Sequence, residues 1–188
     1  MGESKIDILN QVPEEFCPIT LFITRDQSFG QMMEKLEQSP LEFPIIAKPN
    51  IGERGMGVEK LNNPRELEAY RKKVPVDLIL QEFVDYPEEY SVLHYRFPKA
   101  KTGQISSLCH KIHLHVIGDG TSTLRELILL KERALLQLPT LEQRMGDELD
   151  KVLEEGEKLV LLPIGNNARG AMYLDANTDS EEQLAKVN

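Results

Sequence analysis

The alternation of apolar and polar positions divides the chain into short strands and amphipathic helices. FCPITLFIT, residues 16–24, predicts a strand after a proline-marked entry. DQSFGQMMEKLEQSP, residues 26–40, predicts a helix: Asp26 or Ser28 can cap it, Phe29, Met32, Met33 and Leu36 share one face, and Pro40 stops it. FPIIAK reads as the next strand. The following helix, NNPRELEAYRKKV, has Asn63 as its cap and Pro64 at its first position. VDLILQEFV and EYSVLHYRF predict two more strands, separated at Tyr86-Pro87. Residues 105–118 alternate Ile112, Leu114 and Val116 against Lys111, His113 and His115, which predicts one strand across that stretch. Thr123-x-x-Glu126 forms a capping box that opens a helix over residues 123–137, and a polar helix is expected over 140–155. KLVLLPI and RGAMYLDAN read as the last strand and a closing segment. Strands and helices do not alternate regularly, so the fold class expected is α+β with small lobes rather than a parallel βαβ array.

Composition narrows the function classes. The chain has 188 residues, 40% apolar and 28% charged, enough for a real core. No apolar run reaches membrane-spanning length and the first ten residues carry no signal-peptide pattern, so a cytoplasmic location is expected. A net charge of −9 disfavours broad nucleic-acid binding. Cys17 and Cys109 suggest no disulfide framework and read as incidental thiols. His113 and His115 share a strand face but lack a third ligand, so a zinc site is not expected. The acidic run 147–157 reads as a solvated helix face.

The chemistry gathers around IIAKPNIGERGMGV, residues 45–58. Its glycines fall as Gly52-x-x-Gly55-x-Gly57, the reverse of a dinucleotide fingerprint, and no Gly-Lys-Ser/Thr follows as a Walker loop requires. A plain glycine hairpin and a flap over a polyphosphate both fit the loop by itself. Lys48 favours the flap: a cation at the end of a buried strand is costly without an anionic partner. Glycines let backbone N–H groups approach phosphate oxygens, and Arg54 adds a cation at the tip. About thirty residues on, Gln81-Glu82-Phe83-Val84 ends a strand whose exit could meet the edge of an adenine, with Glu88-Glu89 beyond it; a solvated acidic turn between strands fits the same residues.

In order along the chain, IIAKPNIGERGMGV, LILQEFV, EYSV, VIGDGTSTLRELI and GNNARGAMYL resemble motifs of the ATP-grasp superfamily, in particular the cyanophycin-synthetase-like and D-alanine–D-alanine-ligase-like carboxylate–amine ligases. The resemblance runs from about residue 40 to residue 178. It implies an ATP-grasp core of two small α+β lobes, ATP and Mg²⁺ as cofactors, and attack of a carboxylate on the γ-phosphate followed by capture of the acyl phosphate by an amine. It implies that Lys48 binds the nucleotide phosphates and the adenine side of the pocket, and that the loop of Gly52, Gly55 and Gly57 closes over the β- and γ-phosphates. Gln81, Glu82 and Val84 would line the adenine, Glu89 would hold the ribose, and Lys111 would reach phosphate. Arg54, Asn167 and Arg169 would act at the phosphate, acyl phosphate or second substrate as the catalytic set. The expected partners are ATP and a small carboxylate or amino acid, with no nucleic acid and no membrane; self-association stays open.

The pattern also departs from that family. No metal ligands are expected in this chain: Asp175-x-Asn177 imitates a family metal motif but reads as a turn. EEQLAKVN, residues 181–188, reads as a polar helix-like stub. The expected organisation is a linking remnant over 1–40, a lobe with flap and adenine hinge over 41–90, and a second, C-terminally incomplete lobe over 91–188. The chain is therefore expected to be a truncated ligase core, or alternatively a catalytically incomplete nucleotide-binding module with a regulatory or scaffolding role.

Overall fold

A computed structural model describes residues 2–162 and 164–177. The stub expected at 181–188 lies outside them. The chain forms two compact units, Met1–Asp85 and Tyr86–Asn188, and both mix helices with antiparallel sheet.

The first unit begins with a short helix, α1 (Lys5–Leu9), which the sequence pattern does not announce. Strand β1 (Thr20–Ile23) and helix α2 (Phe29–Glu37) follow, then β2 (Ile45–Pro49), β3 (Glu59–Leu61), helix α3 (Pro64–Lys73) and β4 (Leu78–Glu82). The sheet order is β1-β4-β2-β3, antiparallel throughout. Ser28 caps α2 in a full capping box with Gln31, and Asn63 caps α3 with Pro64 inside its first turn, so both helix starts sit where the sequence puts them. Alternation sends Ile45, Ala47, Leu78 and Leu80 to one face of the sheet. There they pack with Met32 and Leu36 of α2 and Leu67 and Tyr70 of α3. Lys48 and Gln81 belong to the opposite face.

The second unit contains β5 (Glu89–Tyr95), β6 (Gln104–Ile112) and β9 (Met172–Asp175) in one antiparallel sheet, and β7 (His115–Ile117) paired with β8 (Lys158–Val160) in another. Helices α4 (Leu124–Leu129), α5 (Glu132–Leu135) and α6 (Leu138–Met145) cover the smaller sheet. The core joins Leu114 and Val116 to Leu124, Ile128, Ala134, Leu141 and Leu161.

Three expected elements are interrupted. The single strand over 105–118 becomes β6 and β7: after Ile112 the chain changes sheets, so that Leu114 enters the helical core and its carbonyl accepts from Leu161 N (2.8 Å). The helix over 123–137 keeps its Thr123–Glu126 capping box but stops at Leu129. Lys131 adopts an extended conformation and its ammonium donates to the carbonyl of His115 (2.6 Å), so the chain turns before α5 starts. The polar helix over 140–155 is instead α6, ending at Gly146, whose φ of 50° no continuing helix can use; a 3₁₀ turn, Gly146–Asp150, follows.

Candidate functional site

In the first unit a hydrogen-bonded relay crosses three strands. Lys48 Nζ donates to Gln81 Oε1 (2.7 Å), Gln81 Nε2 donates to Thr20 Oγ1 (2.8 Å), and Thr20 Oγ1 donates to the carbonyl of Pro18 (2.7 Å). Gln81 is buried, and the Thr20 contact fixes which end of its amide faces Lys48. The half-buried ammonium thus rests on a neutral acceptor, and among the described residues no carboxylate pairs with it. Burial holds the Lys48 pKa below the ordinary lysine range, and the charge of Lys5 adds to that.

Lys5 is the cation that sequence reading missed. Its ammonium donates to the carbonyls of Pro49 (3.1 Å), Asn50 (3.2 Å) and Gly52 (2.7 Å), at the root of the glycine loop. Asn50, 5% exposed, accepts from Ile6 N (3.0 Å) and donates to Ser4 Oγ (3.1 Å). Ser4 also caps α1 through Asp7 N. Ser4-x-x-Asp7 beside a lysine was the available signal, a cap pattern ahead of a helix too short to show apolar periodicity.

The loop is pinned at its far end as well. Tyr70 on α3 is buried and its hydroxyl donates to the carbonyl of Gly57 (2.5 Å). Burial, and then the charge of Glu59, push that phenol above its ordinary range. A Cβ on Gly57 would come within 2.9 Å of the Pro49 ring, and its φ is +68°. The two ends of the loop therefore touch. Between them Arg54 adopts φ 56°, a left-handed conformation that a non-glycine residue takes at a cost. Gly52 and Gly55 also have positive φ, and Gly52 and Arg54 are exposed.

Past Glu82 the β4 ladder ends. Glu82 N donates to the carbonyl of Ile19 (2.8 Å) and its carboxylate accepts from Ile19 N (3.1 Å), so Glu82 is fixed to the chain ahead of β1. Phe83 and Val84 lie beyond the sheet; Lys60 Nζ sits 3.5 Å from the centre of the Phe83 ring, and Val84 is exposed.

In the second unit Lys111 Nζ donates to both oxygens of Glu89 (2.7 and 2.8 Å) across the β5–β6 register that pairs these residues. His113 Nε2 lies 3.4 Å from Glu89 Oε2. On the other sheet face His110 pairs with Glu88 and stacks on Tyr90, ring centres 4.7 Å apart. Asn167 and Arg169 share one 3₁₀ turn capped by Asn166, whose Oδ1 accepts from Arg169 N (2.9 Å). Arg133 steadies that turn, donating to Asn167 Oδ1 (3.3 Å) and to the carbonyl of Ala171 (3.1 Å). The expected site residues thus form three local groups: Lys48 with Gln81 and the loop, Glu89 with Lys111, and Asn167 with Arg169.

Asp175 accepts from Asn177 N (2.9 Å) and Nδ2 (2.5 Å), while Asn177 Oδ1 accepts from Leu108 N (2.8 Å), a closed Asx turn. Among the described residues, no group of three or more His, Cys, Asp or Glu side chains could hold a metal ion. Also among them, no helix is long and apolar enough to cross a membrane.

No family model matches the chain. The glutathione biosynthesis bifunctional protein of Streptococcus thermophilus is 26% identical over 201 residues, covering 90% of this chain and 26% of that protein. The Streptococcus mutans protein of the same name is 26% identical over 169 residues, 76% of this chain and 21% of that one. The chain thus spans about a quarter of the curated relatives it matches. Among solved structures, the bifunctional glutathione synthetase from Pasteurella multocida aligns with a TM-score of 0.44 at 15% identity, over 96% of this chain and 26% of that one. In its ordered motifs, the chain resembles the ATP-grasp ligases.

Proposed function

We propose that this chain binds ATP and forms the nucleotide-binding core of an ATP-dependent carboxylate–amine ligase that works through an acyl phosphate. The observation that carries this reading is Lys48: a desolvated ammonium whose protein partner is a neutral amide, set at the root of a glycine loop. Such a charge is stabilised when an anion arrives, and an ATP polyphosphate supplies one. Lys5 stands beside it as a second positive group, and the backbone N–H groups of the loop would face the phosphates as it closes. Gln81, Glu82 and Val84 would line the adenine, and Glu89 would accept the ribose hydroxyls.

The chemistry asks for charge neutralisation more than for covalent help. A substrate carboxylate oxygen bonds to the γ-phosphorus as the bond to the β-phosphate oxygen breaks and ADP leaves. The amine then bonds to the acyl carbon, inorganic phosphate departs, and the amine proton passes to solvent. Arg54, Asn167 and Arg169 would serve the phosphate and acyl phosphate oxygens, and Lys111 would add charge once the nucleotide competes for Glu89. The magnesium that the resemblance implies has no cluster of three or more His, Cys, Asp or Glu side chains to hold it among the described residues. The relatives named for glutathione biosynthesis support an amino-acid or peptide carboxylate as the substrate class.

Calorimetric titration of the chain with ATP, with and without magnesium, tests the reading. Saturable binding that Lys48→Ala weakens is expected, followed by ADP release when an amino-acid mixture is added. Absence of heat or thermal stabilisation at millimolar nucleotide overturns it. Binding without acceptor-dependent ADP release points instead to a nucleotide-binding module without turnover.

A further inference from the structure

Two side chains approach the Glu89 carboxylate, and the second is a residue with no role so far. Lys111 bridges both carboxylate oxygens, but an ammonium is a compact charge on a flexible stem and fixes a distance better than an orientation. His113 occupies the two-residue link between β6 and β7, and its Nε2 lies 3.4 Å from Glu89 Oε2. Lys111 and His113 are mostly covered, at 12% and 30% side-chain exposure, whereas Glu89 is 52% exposed and presents its carboxylate to solvent.

The imidazole has one sensible orientation of its proton. Its Nδ1 is buried with no hydrogen-bond partner among the described residues. A buried N–H without an acceptor is rarer than a buried lone pair without a donor, so the neutral ring carries its proton on Nε2, facing Glu89. The ring is also seated from behind. A Cβ added at Gly165 would meet Nδ1 at 2.8 Å, and Ala171 Cβ at 3.2 Å, so the glycine leaves room for the imidazole and the wall behind it prevents retreat.

We propose that His113 is a positioning residue that orients the Glu89 carboxylate toward the ribose, and so sets a preference for ribonucleotides over 2′-deoxyribonucleotides. This rests on the reading above that Glu89 accepts the ribose hydroxyls. A second neighbour at Oε2 would limit the swing of a carboxylate held by one flexible lysine, and a fixed acceptor rewards a hydroxyl that a deoxyribose lacks.

The test is the ratio of dissociation constants for 2′-deoxyATP and ATP, measured by calorimetry on the full chain. The wild type is expected to favour ATP by about tenfold, the scale of one hydrogen bond to a charged acceptor. His113→Phe keeps the ring volume without the donor and is expected to bring the ratio near one, mainly by weakening ATP. His113→Gln, whose amide can reach the Nε2 position, is expected to restore most of the preference. Gly165→Ala displaces the ring without touching Glu89 and is expected to lower the ratio too, which keeps the idea testable if His113→Phe folds poorly. An unchanged ratio in both His113→Phe and Gly165→Ala, with the preference abolished by Glu89→Gln, overturns the role of His113 alone. An unchanged ratio in Glu89→Gln refutes the ribose assignment, and the role of His113 falls with it.

Discussion

Each unit carries one of the expected site lysines on a sheet strand, and the two units treat its charge in opposite ways. Lys48 in the first unit leans on the amide of Gln81, which a relay to Thr20 locks in place, and its charge is left without a counter-ion among the described residues. Lys111 in the second unit is bidentate on Glu89, so its charge is already answered within the sheet. A desolvated cation with a neutral partner lowers the stability of the empty protein and raises the reward for an incoming anion. A neutralised one costs little and offers less. On the proposed reading the difference divides the labour: Lys48 would attract the polyphosphate, and the Lys111–Glu89 pair would orient the ribose.

The largest expected effect separates the two lysines directly. Lys48→Ala should weaken ATP binding by roughly tenfold to a hundredfold, the range for hydrogen bonds to charged groups. Lys111→Ala should weaken it less, and titration calorimetry on the pair shows whether that ranking is correct. The same asymmetry has a pH signature. Because burial lowers the Lys48 pKa in the folded protein, the unfolded chain binds that proton more tightly. The resulting destabilisation is fully present below the folded value and fades as pH rises to the ordinary value of 10.5. Denaturant unfolding from about pH 8 to 10 should therefore show wild type gaining on Lys48→Met as pH rises. A constant difference would mean that the ammonium is better solvated than its burial implies.

Smaller effects concern the loop that serves Lys48. Gly57→Ala should cost about 1–2 kcal/mol in thermal unfolding, from its left-handed backbone together with the Pro49 contact. Tyr70→Phe removes the hydroxyl on the Gly57 carbonyl and should cost about 1 kcal/mol. Smallest of all, Lys111→Met should change the stability of the empty protein by less than about 1 kcal/mol, because its partner Glu89 is half exposed to solvent. A loss above that range would make the pair structural rather than a poised site.

What was legible in the chain follows from where the decisive interactions lie in sequence. The caps at Ser28, Asn63 and Thr123 bond residues three positions away, and local spacing reveals them. The β2–β3 hairpin and the Lys48 strand were equally readable, since alternation and glycine spacing are local signals. Long-range contacts are what interrupted the other elements. Lys131 breaks a well-patterned helix by reaching the carbonyl of His115, and Leu114 takes the chain into another core although the alternation around it continues. Gly146 was a readable stop that the polar run around it obscured. At the site, composition marked Lys48 and the glycines, but the Gln81–Thr20 relay and Lys5 lie 33 to 61 residues from their partners. The spacing of such contacts carries no signature until the fold is known.

Helix α1 buries none of its residues, so its attachment to the loop root is almost wholly polar: Lys5, Ile6 and Ser4 on Asn50 and its neighbours. Such contacts hold because the chain keeps α1 close, at an effective concentration on the order of millimolar for a short tether. Residues 11–16 of that tether are exposed. A single protease cut there removes no bond from the loop root, yet it turns an intramolecular docking into a bimolecular one. At ordinary protein concentrations the cut peptide would drift away, and the glycine loop would lose its upstream anchor with every residue of the loop intact.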